Sequence, residues 1–352
     1  MLASQLADWG GESLIVRRDR DTGSWILVAI HSTLLGPAAG GTRMKPYPDV
    51  DAALQDALRL SAGMTYKFAT PGLPFGGAKA VIMVPPDLEP VARNDLLGRF
   101  GTVVSGLDGE FFTGPDVGTS SDDMDVIAVA GAPYVFSRTP AAGGAGDPGP
   151  FTALGVFTGI AASCEVVFGG SGVRGRRVLV QGAGDVGGGL IDLLTEAGAA
   201  VLFSEVDEAL IRRFRDRGGL EHVLPADVFT TECDVFAPCA LGGVLSADSV
   251  AQMSCRVIGG SANNQLATPG DASRVASRGI LYAPDYVINV GGAMAIPGIE
   301  ALGWTPQDAA DKVERYVRET LLRIFATATK EGITTDEAAR RMAEGNLAAA
   351  GR

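Results

Sequence analysis

Arg177-Val178-Leu179-Val180-Gln181-Gly182-Ala183-Gly184-Asp185-Val186-Gly187 decides the fold. Its first five residues form a short apolar run of the kind that makes a buried parallel strand. The glycines after it have G-x-G-x-x-G spacing, and helical spacing follows over 187–197. In that context each glycine has a task. Gly182 permits the tight turn, Gly184 lets the backbone approach a pyrophosphate, and Gly187 lets the helix pack close to the strand. The helix N-terminus, with Asp185 and Val186 in its first turn, adds free N–H donors and a positive dipole end. A second strand, Ala200 to Ser204, leads to Glu205, placed where an acidic side chain accepts both ribose hydroxyls. Such a carboxylate repels a 2′-phosphate. The expected cofactor is therefore NAD, not NADP.

Outward from this stretch the alternation continues. A helix is expected over Asp207 to Arg217, and short strands at Val235 to Ala237 and Arg256 to Gly259. Strands alternating with helices imply a parallel sheet with helical crossovers. The tail from Gln307 to Ala349 is mostly helical, with a break near Gly332. Upstream, a helix from about Phe151 to Val167 follows Thr139 to Pro150, a stretch rich in Gly, Pro and Ala without periodicity that reads as a linker. The first half is mixed α/β. Ser13 to Arg18 and Trp25 to Ser32 are strand-like, Asp49 to Gly63 has helical spacing, and Ala80 to Val84 is a short strand. Asn94 to Ser105 and Asp122 to Ala130 are helical, the latter capped by Ser121 or Ser120. The expected architecture is α/β with two domains. Residues 1–140 form a mixed α/β substrate-binding catalytic domain and residues 141–325 a Rossmann-type NAD-binding domain, with a cleft between them. Residues 326–352 are expected as a helical segment packing back on the first domain.

Composition narrows the function. With 29 basic and 41 acidic residues the net charge is -12, which leaves no electrostatic footprint for nucleic acid or an anionic membrane. Cys164, Cys233, Cys239 and Cys255 form no C-x-x-C pair, and His31 and His222 are the only histidines. No familiar zinc spacing can be assembled from them, and free thiols in a cytoplasmic protein are expected. The N-terminal residues show no signal-peptide pattern, and no apolar run is read as long enough to span a bilayer.

A nicotinamide enzyme needs an orienting charge and an acid/base. Lys67 in Met64-Thr65-Tyr66-Lys67 and Lys79 in Gly76-Gly77-Ala78-Lys79 stand in apolar and glycine-rich surroundings. Burial or a second ammonium lowers a lysine pKa and makes it a usable base. Asp116 lies in the turn-rich Thr113-Gly114-Pro115-Asp116-Val117-Gly118. Spacing alone leaves each of the three open between a paired structural charge and chemistry.

The same residues carry a resemblance. Gly36-Pro37-Ala38-Ala39-Gly40-Gly41-Thr42-Arg43, the Lys67 and Lys79 motifs, Thr113 to Val117, and the glycine fingerprint occur in the order seen in the glutamate/leucine/phenylalanine/valine dehydrogenase family. So do Ala237-Pro238-Cys239-Ala240, Ser261-Ala262-Asn263-Asn264 and Pro284-Asp285 to Asn289-Val290-Gly291-Gly292. The chain resembles that family over nearly its whole length. Within it, the resemblance is to the bacterial phenylalanine dehydrogenases first and the leucine and valine enzymes next. It implies reversible NAD-dependent oxidative deamination of an L-amino acid to a 2-oxo acid and ammonia, by a homo-oligomer. It also implies that Lys67, with backbone N–H groups near Gly40 and Gly41, holds the substrate carboxylate. Lys79 is the implied base, and Asp116 the implied proton shuttle at the substrate nitrogen. Arg43, Thr152, Cys239, Ala240 and Asn263 are expected at the cofactor, and Asn289 near the nicotinamide and substrate. Family members usually carry glycine where Ala78 stands, and commonly alanine where Val290 stands. Ala78 is expected to add a methyl beside Lys79, and Val290 bulk near the nicotinamide. The implied side-chain pocket is Ala39, Gly114, Ala293 and Ile296. Its small residues point to L-phenylalanine, with a branched-chain substrate as the alternative. A non-catalytic NAD-binding regulator would lack Lys67, Lys79 or Asp116, and all three are present. A 2-hydroxy-acid dehydrogenase relies on a histidine, and His31 and His222 lie outside the motifs.

Overall fold

The structure, a computed structural model, describes residues 2–170 and 172–351. The chain divides into two compact units. The first takes the residues up to Asp147, with Ile296–Trp304 and the end from Ala343 onward; the second takes Pro148–Ala295 and Thr305–Met342.

The first unit contains α1 (Leu2–Trp9), β1 (Ser13–Arg18), β2 (Trp25–Ser32), β3 (Ala38–Lys45), α2 (Val50–Ala69), β4 (Gly76–Met83), α3 (Pro90–Ser105), β5 (Phe111–Pro115) and α4 (Ser121–Gly131). Its sheet runs β1-β2-β4-β3-β5. The β1–β2 and β2–β4 pairs are antiparallel, and β3 pairs in parallel with both β4 and β5. Side chains alternate across β4. Ala78, Ala80 and Ile82 enter a core built with Phe100 of α3 and Ile127 of α4. Val81 instead packs with Ala53, Leu54 and Leu58 of α2. Lys79 has the parity of Val81 and leaves the sheet on the α2 face.

Three elements differ from the sequence reading, each for a physical reason. Strand β3 was not expected, because its residues are small and glycine-rich. It is squeezed between β4 and β5 so closely that a Cβ on Gly40 would lie 1.8 Å from the Ala78 carbonyl oxygen. Helix α2 does not stop at Gly63. Thr65, Phe68 and Ala69 extend its buried face, and the Asp49 side chain caps its start by accepting the Ala52 N–H. Strand β4 begins at Gly76, so Lys79 stands inside a strand and not in a loop before one. The first turn of α4 resolves the choice of cap: Ser120 and Asp123 form a capping box.

The stretch 139–150 holds a 3₁₀ turn at Pro140–Ala142, capped by Thr139, and it is tied down. Thr139 donates through its N–H and hydroxyl to Asp125, and Glu300 accepts the N–H groups of Ser137 and Ala145. These bonds keep it in the first unit as far as Asp147, beyond the expected boundary at residue 140.

The second unit runs through α5 (Gly149–Phe168), β6 (Arg177–Gln181), α6 (Asp185–Glu196), β7 (Ala200–Ser204), α7 (Glu208–Arg215), β8 (Glu221–His222), β9 (Val235–Pro238), α8 (Ala247–Gln252), β10 (Val257–Ile258), α9 (Asp271–Ser277), β11 (Leu281–Tyr282) and α10 (Asp285–Ile288). Helix α11 (Gly291–Glu300) carries the chain from the second unit into the first. Then come α12 (Pro306–Glu331) and α13 (Thr335–Ala350), separated by a left-handed cap at Gly332. The sheet is β11-β10-β9-β6-β7-β8, with every pair parallel. Three strands step outward on one side from β6 and three on the other from β9. This is the doubly wound order, with its switch point between β6 and β9.

Two expectations about helices need correction. Helix α5 is, by length and composition, apolar enough to cross a membrane, although no such run was read in the sequence. Here it packs against α6, α12 and β10 as a core helix of the second unit. The tail does not return to the first unit at residue 326. The apolar face of α12, including Val313, Val317, Leu321 and Ile324, is buried, and only from Ala343 does the chain rejoin the first unit. There Asn346 donates to the carbonyls of Ala69 and Thr70 at the end of α2. All four cysteines are free thiols.

Candidate functional site

The first unit gathers a largely buried charge cluster from Lys79 within β4, Arg43 on β3 and Asp116 just after β5. Lys79 Nζ lies 3.0 Å from Asp116 Oδ2, with the lysine side chain 6% and the aspartate 17% exposed. Asp116 follows β5, and β3 lies between it and β4. The spacing depends on glycine: a Cβ on Gly41 would meet the Pro115 carbonyl oxygen at 2.6 Å and Asp116 Cβ at 3.0 Å. Thr42 and Thr113, buried and hydrogen-bonded at 2.6 Å, pin β3 to β5 beside the pair.

Arg43 stands on the other side of Asp116. Its Nε donates to Asp116 Oδ2 at 2.7 Å and its Nη1 to Asp56 Oδ2 at 3.0 Å. Asp56 also accepts from the Tyr47 hydroxyl at 2.7 Å and from Arg59 Nη2 at 2.8 Å. Arg43 was expected at the cofactor; its guanidinium is held within this network. Burial pushes the Lys79 pKa down, Asp116 pulls it back up, and Arg43 pushes it down again, for a net lowering. Burial alone would raise Asp116, but the charges of Lys79 and Arg43 reverse this and hold it far below the usual carboxylate range. The result is an amine that gives up its proton more readily than a free lysine, beside a carboxylate that stays ionised.

Lys67 sits in the last turn of α2, the helix that covers the face from which Lys79 projects. The approach is close there, since a Cβ on Gly77 would lie 2.1 Å from the Thr65 backbone nitrogen. Ala39 on β3 is 2% exposed, and Gly114 lies on β5. A Cβ on Gly114 would make ordinary contact with Phe136 Cβ and Ser137 Oγ, both at 3.9 Å, so a methyl fits there without strain. Ala293 belongs to the second unit's part of α11, and Ile296, 3% exposed, begins the first unit's part. Ala78 corrects an expectation. Its methyl is in the α3/α4 core, on the face of β4 opposite Lys79, so it does not crowd the amine. Val290 is fully buried.

The histidines are engaged elsewhere. His31 Nδ1 bonds with Thr65 Oγ1 at 2.8 Å, and His222 bonds with Arg215 and packs on Phe203.

The second unit brings most of its candidate residues to the carboxyl ends of β6, β7, β9 and β10, with Thr152 on α5 and Asn289 after α10. Gly182 has φ of +94°, and a Cβ on Gly187 would lie 2.0 Å from the Gly182 carbonyl oxygen. Gly184 caps α6 with no side-chain hydrogen bond, and the space around its Cα is open. Asp185 and Val186 follow in the first turn, so orphan N–H groups face open space at a helix N-terminus. Glu205 accepts the Ala183 N–H at 2.7 Å and the Val206 and Asp207 N–H groups at 2.7 and 3.1 Å. Burial works against its ionisation, but these three donors outweigh it and lower its pKa.

Cys239 and Ala240 follow β9; Ala240 borders Gly182, and Cys239 Sγ accepts from the Ser261 N–H at 3.5 Å. Asn289, 1% exposed, donates through Nδ2 to Ser261 O and Asn263 Oδ1, both at 3.0 Å, while its Oδ1 is buried with no partner among the described residues. Thr152 accepts the Gly292 N–H through Oγ1. Asp56 and Tyr47 were not found by sequence reasoning. The signal available was faint: an aspartate three residues before Arg59 on a helix reads as a surface pair.

Comparison with known proteins adds the lineage. The family model for the Glu/Leu/Phe/Val dehydrogenase dimerisation domain matches residues 16–130. The model for Glutamate/Leucine/Phenylalanine/Valine dehydrogenase matches residues 203–352. The chain is 40% identical to leucine dehydrogenase of Geobacillus stearothermophilus over 334 residues, covering 95% of this chain and 89% of that protein. It is 43% identical to valine dehydrogenase of Streptomyces virginiae over 346 residues, 96% of this chain and 94% of that one. Its structure is similar to the crystal structure of L-tryptophan dehydrogenase from Nostoc punctiforme, with a TM-score of 0.79 at 37% identity and 99% of each chain covered. The chain belongs to the glutamate/leucine/phenylalanine/valine dehydrogenase family, a family of amino-acid dehydrogenases.

Proposed function

We propose that this protein catalyses reversible NAD-dependent oxidative deamination of an apolar L-amino acid to the 2-oxo acid and ammonia. The observation that carries the reading is the buried Lys79–Asp116 pair, held at 3.0 Å with the lysine pKa lowered. The second unit fits NAD on its own evidence. An uncapped helix N-terminus and the open space at Gly184 suit a pyrophosphate, and Glu205 suits ribose hydroxyls. The orphan Oδ1 of Asn289 suits a donor on the nicotinamide or the substrate.

NAD, when bound, accepts the hydride from the substrate Cα. The chain supplies the rest. Lys67 and the backbone near Gly40 and Gly41 orient the carboxylate. Lys79, as the free amine, takes a proton from the substrate ammonium, passes it to Asp116 across their hydrogen bond, and is then free to take one from the water that attacks the imine carbon. Asp116 gives its proton to the nitrogen of the resulting carbinolamine, the C–N bond breaks, the departing ammonia carries off the hydroxyl proton as the carbonyl forms, and Lys79 returns its proton to solvent. Arg43 acts within the charge cluster. Thr152, Cys239, Ala240 and Asn263 support the cofactor's ring end through the loops that they shape. The enzyme is read as a cytoplasmic homo-oligomer.

For the substrate we propose a branched-chain amino acid, because a leucine dehydrogenase at 40% identity and a valine dehydrogenase at 43% are among its relatives. The aromatic reading keeps in its favour the likeness to L-tryptophan dehydrogenase over 99% of each chain, and the absence of a side chain at Gly114. The two are separated by kcat/KM for L-leucine, L-valine, L-phenylalanine and L-glutamate. L-Leucine or L-valine is expected to lead L-phenylalanine by about tenfold or more, the discrimination that pocket volume supports. L-Phenylalanine in first place returns the assignment to the aromatic substrate, and L-glutamate in first place defeats both.

A further inference from the structure

We propose that Asp56 is a positioning residue for the reaction, holding the Arg43 guanidinium so that it shares the Asp116 carboxylate with Lys79. The inference rests on the reading of Lys79 as base and extends it to a residue that touches neither Lys79 nor Asp116.

The geometry is a relay of charges. Arg43 has its Nε on Asp116 at 2.7 Å and its Nη1 on Asp56 at 3.0 Å, with both Arg43 and Asp56 side chains 12% exposed. Two largely buried carboxylates therefore divide one guanidinium between its edges. Each end fixes the other, because a buried arginine that loses one anion turns toward the one that remains. Asp56 is itself fixed. The Tyr47 hydroxyl donates to it from the segment after β3, and Arg59 donates to its second oxygen from the same helix. The groups facing it are thus Arg43 and Tyr47 from β3 and beyond, and Arg59 on α2. Lys45 stands over the Tyr47 ring at 4.6 Å, and Asp116 and Lys79 lie on the far side of Arg43. Burial raises the Asp56 pKa, but its donors and Arg43 more than offset this, so it stays an anion.

Removing the charge at Asp56 has one sign by two routes. The anion supports the protonated form of Lys79, so its loss lowers the Lys79 pKa. Arg43, released from Asp56, also competes with the ammonium for Asp116 Oδ2. A base acts when deprotonated, so the acid limb of the rate profile moves to lower pH.

The test is the pH dependence of kcat/KM for L-leucine with NAD in the wild type, Asp56→Asn and Asp56→Glu, with NAD affinity measured beside it. Asp56→Asn is expected to shift the acid limb down by about half a pH unit or more while NAD affinity stays within about twofold. Asp56→Glu keeps the charge and is expected to leave the limb near its wild-type position with a reduced kcat. If Asp56→Asn does not fold, Asp56→Glu decides alone, since a limb displaced downward despite the retained charge contradicts the inference. A lower kcat in Asp56→Asn with the limb unmoved shows a merely structural role and overturns the inference. Turnover that survives in Lys79→Ala overturns the base reading itself, a failure separate from an unmoved limb.

Discussion

Lys79→Ala is expected to lower kcat by about 10²–10⁴-fold, the range that a positioned acid/base supplies, with NAD affinity unchanged. The effect is local. Lys79 is in the first unit, on β4, and among the described residues it pairs with Asp116 at 3.0 Å. The nucleotide residues lie in the second unit, on α5 and on the loops after β6, β7, β9 and β10. Loss of the amine leaves Asp116 with Arg43 at 2.7 Å, so the buried carboxylate keeps a cation and the unit keeps its fold. Steady-state NADH formation, binding titration with NAD and a melting curve check the three parts together. Equal losses of NAD affinity and turnover would contradict the role given to Lys79. Little loss of turnover, with folding intact, would remove it from the chemistry altogether.

Gly187→Val is expected to weaken NAD binding by about 100-fold or more, equivalent to roughly 2.7 kcal/mol. A Cβ at residue 187 would fall 2.0 Å from the Gly182 carbonyl oxygen and 3.3 Å from Cys239 Cβ. Backbone stands on one side and the β9 loop on the other, so no flexible side chain can give way. Helix α6 must move out, and its N-terminus no longer aims its N–H groups at the open space around Gly184. The Lys79–Asp116–Arg43 cluster is untouched, so the variant separates cofactor binding from the proton chemistry. Isothermal titration with NAD measures the effect, and wild-type affinity would show that the glycine loop does not hold the pyrophosphate.

The parts of this fold that were legible in sequence are those where local pattern and burial agree. The strands β6 and β7 fall on the expected residues because they are short apolar runs closed by glycine or an acid, with one neighbour on each side. Strand β3 was hidden for the opposite reason. Its Gly40 and Gly41 are demanded by contacts with β4 and β5, which lie far away in sequence, while locally they read as a turn. The same limit applies to the site. Lys79, Asp116 and Lys67 stood out because charged residues in apolar or glycine-rich runs are conspicuous. Asp56 did not, since it sits on an ordinary amphipathic helix and acquires its meaning only from Arg43 and Tyr47. Arg43 was legible as important but not in its placement, because its two carboxylate partners come from α2 and from the loop after β5. Ala78 was misjudged by reading neighbours along the chain: adjacent residues on a strand face opposite ways.

On the proposed function, the Lys79–Asp116 pair serves oxidative deamination. The most direct measurement is the yield of NADH and of ammonia from the wild-type protein given NAD and L-leucine, with L-valine and L-phenylalanine in parallel. One ammonia is expected for each NADH, from at least one of the three. NADH with no ammonia, or no NADH from any amino acid while 2-hydroxy acids are oxidised, would contradict it.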